Sequence, residues 1–202
     1  MKLPEGYEIM KRGGIRKIEK EVLSEQFYTL NRYTFEYEKE DGTWELQRRE
    51  SYDRGNGVAI LLYNPGEQKV ILTRQFRIPT YVNGNEDGMM VEVCAGMLDE
   101  KDPEACIRRE VEEETGYRIG EVKKVFEAYM SPGAVTEILH FFIAPYDETM
   151  KAGPGGGAEG ETENIEVLEI SYDEAFRMID RGEIRDAKSL LLLQYARLQG
   201  LI

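Results

Sequence analysis

Apolar positions along the chain recur with two periods, and the switch between them marks its elements. From Gln26 they alternate with polar ones: Tyr33, Phe35 and Tyr37 share one strand face, Asp41-Gly42 follows, and Trp44 and Leu46 share a face of the next strand. Asp-Gly between two alternating runs predicts a hairpin, because both residues accept the positive φ of a tight turn. The runs GVAILLY (57–63) and KVILTRQF (69–76), separated by NPGEQ, predict a second. Residues 90–95, 122–129 and 138–144 predict further strands. Asp102-Pro103-Glu104 supplies a cap, a first-turn proline and a carboxylate that suits the helix dipole; with Gly116 as a stop this predicts a helix over 103–115. Ser171 and Glu174 form a capping box before Ala175, Phe176 and Ile179, with Gly182 behind. Asp186 opens a last helix ending near Gly200. Strands and helices intersperse without regular βαβ repetition, so the expected class is α+β, a mixed sheet flanked by helices. Residues 1–20 are weakly patterned and read as a poorly ordered or short helical lead-in.

Composition narrows what such a fold could do. The 202 residues carry 26 Lys+Arg against 39 Asp+Glu, a net charge of −13, with no basic block, which argues against nucleic acid or an anionic membrane surface as partner. No apolar run approaches the roughly 20 residues that span a bilayer, and the opening lacks the apolar core of a signal peptide. Two cysteines, Cys94 and Cys106, make a poor disulfide framework and read as reduced, small buried hydrophobes in a cytoplasmic protein. With one histidine, His140, set in the apolar ILHFFIA run as a structural residue, metal chemistry here would be oxygen chemistry with a hard cation.

The segment REVEEETGY, Arg109 to Tyr117, points to such a cation. At about 100° per residue, with Glu110 at zero, Glu114 lies at about 40° and Glu113 at about 300°, while Glu112 points away at about 200°. Like charges three and four residues apart disfavour a helix unless a cation sits among them. Mg²⁺ suits the position, since it takes oxygen ligands and is commonly held by a few carboxylates plus substrate phosphates. Arg109, one turn before Glu113, can orient it. An ordinary solvated acidic face would show the same spacing. A second segment, 151–164, has five glycines among the eight residues 153–160 and reads as a mobile loop between strands, either a plain linker or a functional loop.

The carboxylate stretch resembles the Nudix hydrolase signature: Gly, five residues, Glu, seven residues, then Arg-Glu-hydrophobic-any-Glu-Glu-any-Gly-hydrophobic. Gly96, Arg109, Glu110, Val111, Glu113, Glu114, Gly116 and Tyr117 match; Asp102 stands at the first acidic position, and six residues rather than seven separate it from Arg109. The runs YDRGNG (52–57), RQFR (74–77), VNGNE (82–86), CAG (94–96), YMSPG (129–133), HFFIA (140–144), the triple glycine and IEVLE (165–169) further resemble the GDP-mannose-cleaving branch of that family. The resemblance implies a Nudix α/β/α sandwich over residues 55–202 with an N-terminal antiparallel strand extension over 1–54 that helps form a homodimer. It implies Mg²⁺-dependent hydrolysis of a nucleoside diphosphate sugar at its pyrophosphate, with Mn²⁺ as a possible substitute. By the same resemblance the metal ligands are Glu110, Glu114, Glu163 and the Ala95 carbonyl, and Glu163, Glu113 and Glu137, in that order, are candidates to take the proton from water. Substrate contacts map to Arg77, Ala95, Gly96, Met97, Glu137 and Lys188. Phe27 maps to a base-stacking position, and Arg48, Arg49 and Glu50 to a nucleotide-contacting segment reached from the partner subunit.

Three other readings compete with GDP-mannose hydrolysis. An ADP-ribose pyrophosphatase shares the carboxylate box, and only Arg48, Arg49 and Glu50 speak for guanine. A nucleotide-sugar-binding module without catalysis is disfavoured because Glu110, Glu113 and Glu114 are all present. A calcium-binding domain would need a D-x-D-x-D-G loop, which the sequence lacks.

Overall fold

Strand β4 (Gly57–Asn64) is buried along nearly its whole length, and it organises the main sheet. Its even-numbered residues Val58, Ile60 and Leu62 belong to one apolar cluster and Ala59 and Leu61 to another. A strand covered on both faces needs an unbroken apolar run rather than alternation, which is what GVAILLY provides. The computed structural model describes residues 14–99, 101–157 and 164–202. In it β4 pairs with β5 (Lys69–Phe76), β7 (Cys94–Met97) and, in parallel, β9 (Ile138–Pro145). Strand β10 (Glu166–Ser171) flanks β5, β8 (Lys123–Tyr129) flanks β9, and β6 (Met89–Glu92) pairs with β5, so seven of the described strands form one mixed sheet.

Helix α2 (Pro103–Thr115) covers one face through Cys106, Ile107 and Val111, which pack with Val58, Ile60, Leu62 and Phe142. Helices α3 (Tyr172–Asp180) and α4 (Ala187–Leu198) cover the other, with Ala175, Leu192, Leu193 and Ala196 against Leu61, Leu72 and Phe141. Sheet between helix layers is the expected sandwich. The predicted caps form: Asp102 accepts from the Glu104 amide, Ser171 from Glu174 and Asp186 from Ser189, and Gly116 closes α2 in the left-handed region at φ 75°. No described helix is long and apolar enough to cross a membrane.

Two details position the site. The antiparallel pairing of β4 with β5 covers only residues 62–64 with 69–71, after which the strands diverge. The segment expected as one strand over 90–95 fills this fork as two, β6 on β5 (Thr73 opposite Glu92) and β7 on β4 (Ile60 opposite Cys94), so the change of partner falls at Val93. A short helix α1 (Ile78–Val82) follows β5.

By its internal packing the chain divides into two units, the second comprising Gly55–Met130 and Glu137–Ile202. In the first, β1 (Ile15–Glu25), β2 (Thr29–Glu38) and β3 (Trp44–Asp53) form an antiparallel sheet, joined by Ser131–Thr136 through Tyr52, whose amide donates to Ala134 and whose carbonyl accepts from Thr136. The hairpin at Asp41-Gly42 is as expected. Strand β1 is not: residues 15–20 extend rather than forming a disordered or helical lead-in. Its pattern is masked because Lys17 sits at φ 53° in a bulge between Arg16 and Glu19, and because it is held by cross-strand ion pairs, Arg16 and Lys17 to Glu36 and Arg32 to Glu21.

Cys94 and Cys106 are unbridged and buried on the α2 face, and burial raises the Cys106 thiol to about 11. A thiol with a raised pKa stays protonated and unreactive below it. Native protein at pH 8 should therefore show almost no reaction with Ellman's reagent, and both thiols should react once guanidinium unfolds it.

Candidate active site

The site is built where α2 presses on β7. A Cβ placed on Gly96 would fall directly on the Glu110 carboxylate, so the strand approaches the helix closely enough that only glycine fits. One turn on, Glu114 is 2% exposed, and the Ala95 amide donates to its Oε2 at 3.3 Å. Glu112 points away from this face, as its spacing predicts, and pairs with Arg118, while contact with β7 turns Glu110 and Glu114 inward. Glu137 reaches the same place, since a Cβ on Gly57 would lie 3.1 Å from the Gly96 carbonyl oxygen and 3.3 Å from Glu137 Oε1. Met97 closes β7 with its side chain partly in solvent.

Arg109 binds this carboxylate group from outside. Among its partners in the described residues are Asp99 at 2.8 Å and Glu110 at 3.2 Å, with Glu113, the partner expected from helical spacing, more loosely at 3.8 Å. The hydrogen bond from Arg109 holds the Asp99 carboxyl below its ordinary value. Asp99 lies ten residues from Arg109 in a turn that follows β7, which is why helical spacing does not reveal it. Asp102, which stands at the signature's first acidic position, serves as the cap of α2.

The far end of α2 meets the glycine-rich segment. Amides of Gly156 and Gly157 donate to the Glu114 and Glu113 carbonyls at 2.8 and 3.1 Å, and Lys151 Nζ donates to the Thr115 carbonyl at 2.8 Å. These are the carbonyls a helix leaves without partners at its C-terminus. A Cβ on Gly116 would strike the Gly153 carbonyl, and one on Gly155 the Glu114 carbonyl. Over 151–157 the expected mobile loop is therefore a docked cap. Glu163, expected as a metal ligand and proton acceptor, lies outside the described residues.

A second charged group flanks the fork. Arg77 Nε donates to Glu92 Oε2 at 2.7 Å, and Lys188 Nζ to Glu92 Oε1 at 3.0 Å and Asp186 Oδ1 at 2.6 Å. Burial lowers the Lys188 ammonium pKa, but Glu92 and Asp186 together outweigh this and hold it above its ordinary value. Arg77 and Lys188 are thus brought together by Glu92, which the sequence pattern does not mark. In the first unit, Phe27 is exposed and stacks edge-on against Tyr28 at 4.7 Å. Arg49 bonds the Arg48 carbonyl and Gln47, and Glu50 pairs with Arg32 at 3.5 Å.

The donors gathered at α2 and β7 are oxygens. Burial, reinforced by Glu114, pushes the Cys94 thiol well above its ordinary value and keeps it neutral. Among the described residues no three His, Cys, Asp or Glu side chains form a ready-made metal cage. Paired carboxylates of this kind still suit a hard divalent cation.

Known proteins resemble the chain along its described length. Residues 53–193 match the NUDIX domain model, and residues 14–52 match the GDP-mannose pyrophosphatase NudK N-terminal domain. A GDP-mannose pyrophosphatase of Pectobacterium atrosepticum is 55% identical over 183 residues, covering 91% of this chain and 94% of that protein. Those of Klebsiella pneumoniae and Escherichia coli O157:H7 are each 52% identical over 188 residues, covering 93% of this chain and 94% and 97% of theirs. The crystal structure of an ADP compounds hydrolase superposes with a TM-score of 0.71 at 15% identity, covering 97% of this chain and 100% of that one, a likeness of fold.

The interlocked glycines make a sharp test. Gly155 sits at φ 73°, so Gly155→Ala should cost at least about 1 kcal/mol from backbone strain alone. Guanidinium unfolding should show the loss, and hydrogen exchange should quicken in the last turn of α2.

Proposed function

The chain belongs to the NUDIX family, and from that membership we propose that it hydrolyses the pyrophosphate of GDP-mannose with a divalent cation, giving GMP and mannose 1-phosphate. The observation that carries this reading is identity of 52–55% to GDP-mannose pyrophosphatases over 91–93% of the chain. The inward carboxylates Glu110 and Glu114 support it chemically.

A pyrophosphate diester resists water because its anionic oxygens repel the nucleophile. Glu110, Glu114 and the Ala95 carbonyl would hold the cation, with Glu163 contributing a further carboxylate; Mg²⁺ fits this oxygen donor set, and Mn²⁺ would substitute in it. When bound, such a cation neutralises phosphoryl charge and eases deprotonation of a water nucleophile. Glu163 is the leading proton acceptor, followed by Glu113 and Glu137. Gly96 allows the helix carboxylates to approach the strand, and Arg109 with Asp99 keeps Glu110 and Glu113 oriented. Arg77 and Lys188 supply charged N–H donors for phosphate oxygens in a chain whose net charge is negative. Phe27 offers a face for the base, and Arg48, Arg49 and Glu50 donors and an acceptor for its edge.

The working form is a homodimer through the first unit, where Ile15, Ile18, Val22 and Leu46 leave apolar side chains in water. Sedimentation should give twice the chain mass of 23.2 kDa; a single-chain mass would remove the dimer. Two buried unbridged thiols support a cytoplasmic setting.

Hydrolysis is tested by following products from GDP-mannose and ADP-ribose in parallel, with Mg²⁺ and with chelator. Chelator-sensitive cleavage preferring GDP-mannose is expected, whereas preference for ADP-ribose would overturn the base assignment. Glu114→Gln should lower kcat by on the order of 10²–10³, as for loss of one electrostatic stabiliser, with its circular dichroism unchanged. Near-normal turnover in that variant would overturn the metal site.

A further inference from the structure

Glu92 is a buried carboxylate with both oxygens engaged, one by Arg77 and one by Lys188. These cations come from separate parts of the chain, Arg77 at the entry to α1 and Lys188 in the first turn of α4. The network closes on itself. Asp186 takes Lys188 on Oδ1 and, on Oδ2, both the amide and the hydroxyl of Ser189, at 2.9 and 2.7 Å. The Ser189 hydroxyl in turn accepts from the amide of Val93, the residue after Glu92, at 2.8 Å. Glu92, Lys188, Asp186, Ser189 and Val93 thus form a ring that fixes the joint between β6 and β7 to the start of α4.

Among the described residues two carboxylates, Glu92 and Asp186, face two cations, Arg77 and Lys188, and such pairing is the condition under which charges tolerate burial. Long cationic side chains otherwise lose much rotamer freedom on gripping a ligand. The bond from Arg77 Nε to Glu92 restrains the orientation of the planar guanidinium, a group that recognises phosphate through paired N–H donors. Three residues beyond Glu92 stands Ala95, the strand residue beside Glu114.

We propose that Glu92 is a positioning residue for the hydrolysis: through Arg77 directly, and through Lys188 within the Asp186–Ser189 ring, it pre-sets the two cations that receive the anionic part of the nucleotide sugar. The inference rests on the reading above that Arg77 and Lys188 contact substrate. Glu92 itself touches neither substrate nor cation cofactor; it acts on binding, and its removal shows in KM rather than kcat.

The test measures kcat, KM and thermal midpoint with GDP-mannose and Mg²⁺ for Glu92→Gln, Asp186→Asn, Arg77→Lys, Lys188→Met and the Glu92→Gln/Lys188→Met pair. Asn caps a helix about as well as Asp, so Asp186→Asn removes charge while keeping the start of α4. Glu92→Gln should raise KM about ten- to a hundredfold, the worth of a charge-assisted contact, with kcat within about threefold. Asp186→Asn should raise KM in the same sense, and the pair should fall short of the product of its single effects. If Arg77→Lys and Lys188→Met raise KM but Glu92→Gln alters only kcat or the thermal midpoint, the positioning role is overturned while the substrate contacts stand. If Arg77→Lys and Lys188→Met leave KM unchanged, the substrate contacts themselves fall, and the inference with them. Should Glu92→Gln fail to fold, Asp186→Asn decides, and an unchanged KM there overturns the proposal.

Discussion

The approach of α2 to β7 at Gly96 is the contact on which the site depends. A side chain there would occupy the volume of the Glu110 carboxylate, so the absence of one lets a helix carry acidic groups against a strand instead of into solvent. Crowding Glu110, Glu113 and Glu114 on one face opposes the helix, and burying Glu114 opposes it further. Apolar packing offsets this. Cys106, Ile107 and Val111 anchor the same helix on Val58, Ile60 and Leu62, and Arg109 with Asp99 sets positive charge beside the acidic face.

Both ends of α2 are tied. Asp102 caps its start, while Gly156, Gly157 and Lys151 satisfy carbonyls at its end, one of them that of Glu114 itself. Glycine is needed there twice over. Gly155, Gly156 and Gly157 have positive φ, with the amides of the last two donating to the helix, and neither Gly116 nor Gly155 has space for a side chain. Any shift of the docked segment is therefore felt at the backbone that carries Glu113 and Glu114.

The diverging ends of β4 and β5 solve a second problem. A chain with a net charge of −13 repels anions at long range, so any site for an anion has to bring cationic side chains together locally. The fork admits β6 and β7 side by side, and Glu92 at the end of β6 gathers Arg77 and Lys188 from segments more than a hundred residues apart.

What the sequence determined by itself was local. Asp102-Pro103 and Gly116 bound α2 as read, because caps and left-handed stops act within one turn, and helical periodicity alone puts Glu110, Glu113 and Glu114 on one face; that Glu110 and Glu114 turn inward was decided by the packing of α2 on β7. The Asp-Gly hairpin and the hairpin of GVAILLY with KVILTRQF were legible for the same reason. Tertiary structure decided the rest. Strand β1 is stabilised by pairing with β2 across a bulge that breaks its alternation; the division of β6 from β7 reflects a change of partner at Val93; and residues 151–157 are held by carbonyls of α2. Asp99 and Glu92 take their roles from guanidinium and ammonium groups that only folding brings beside them, because a carboxylate's partner is chosen by distance in space and a sequence records only distance along the chain.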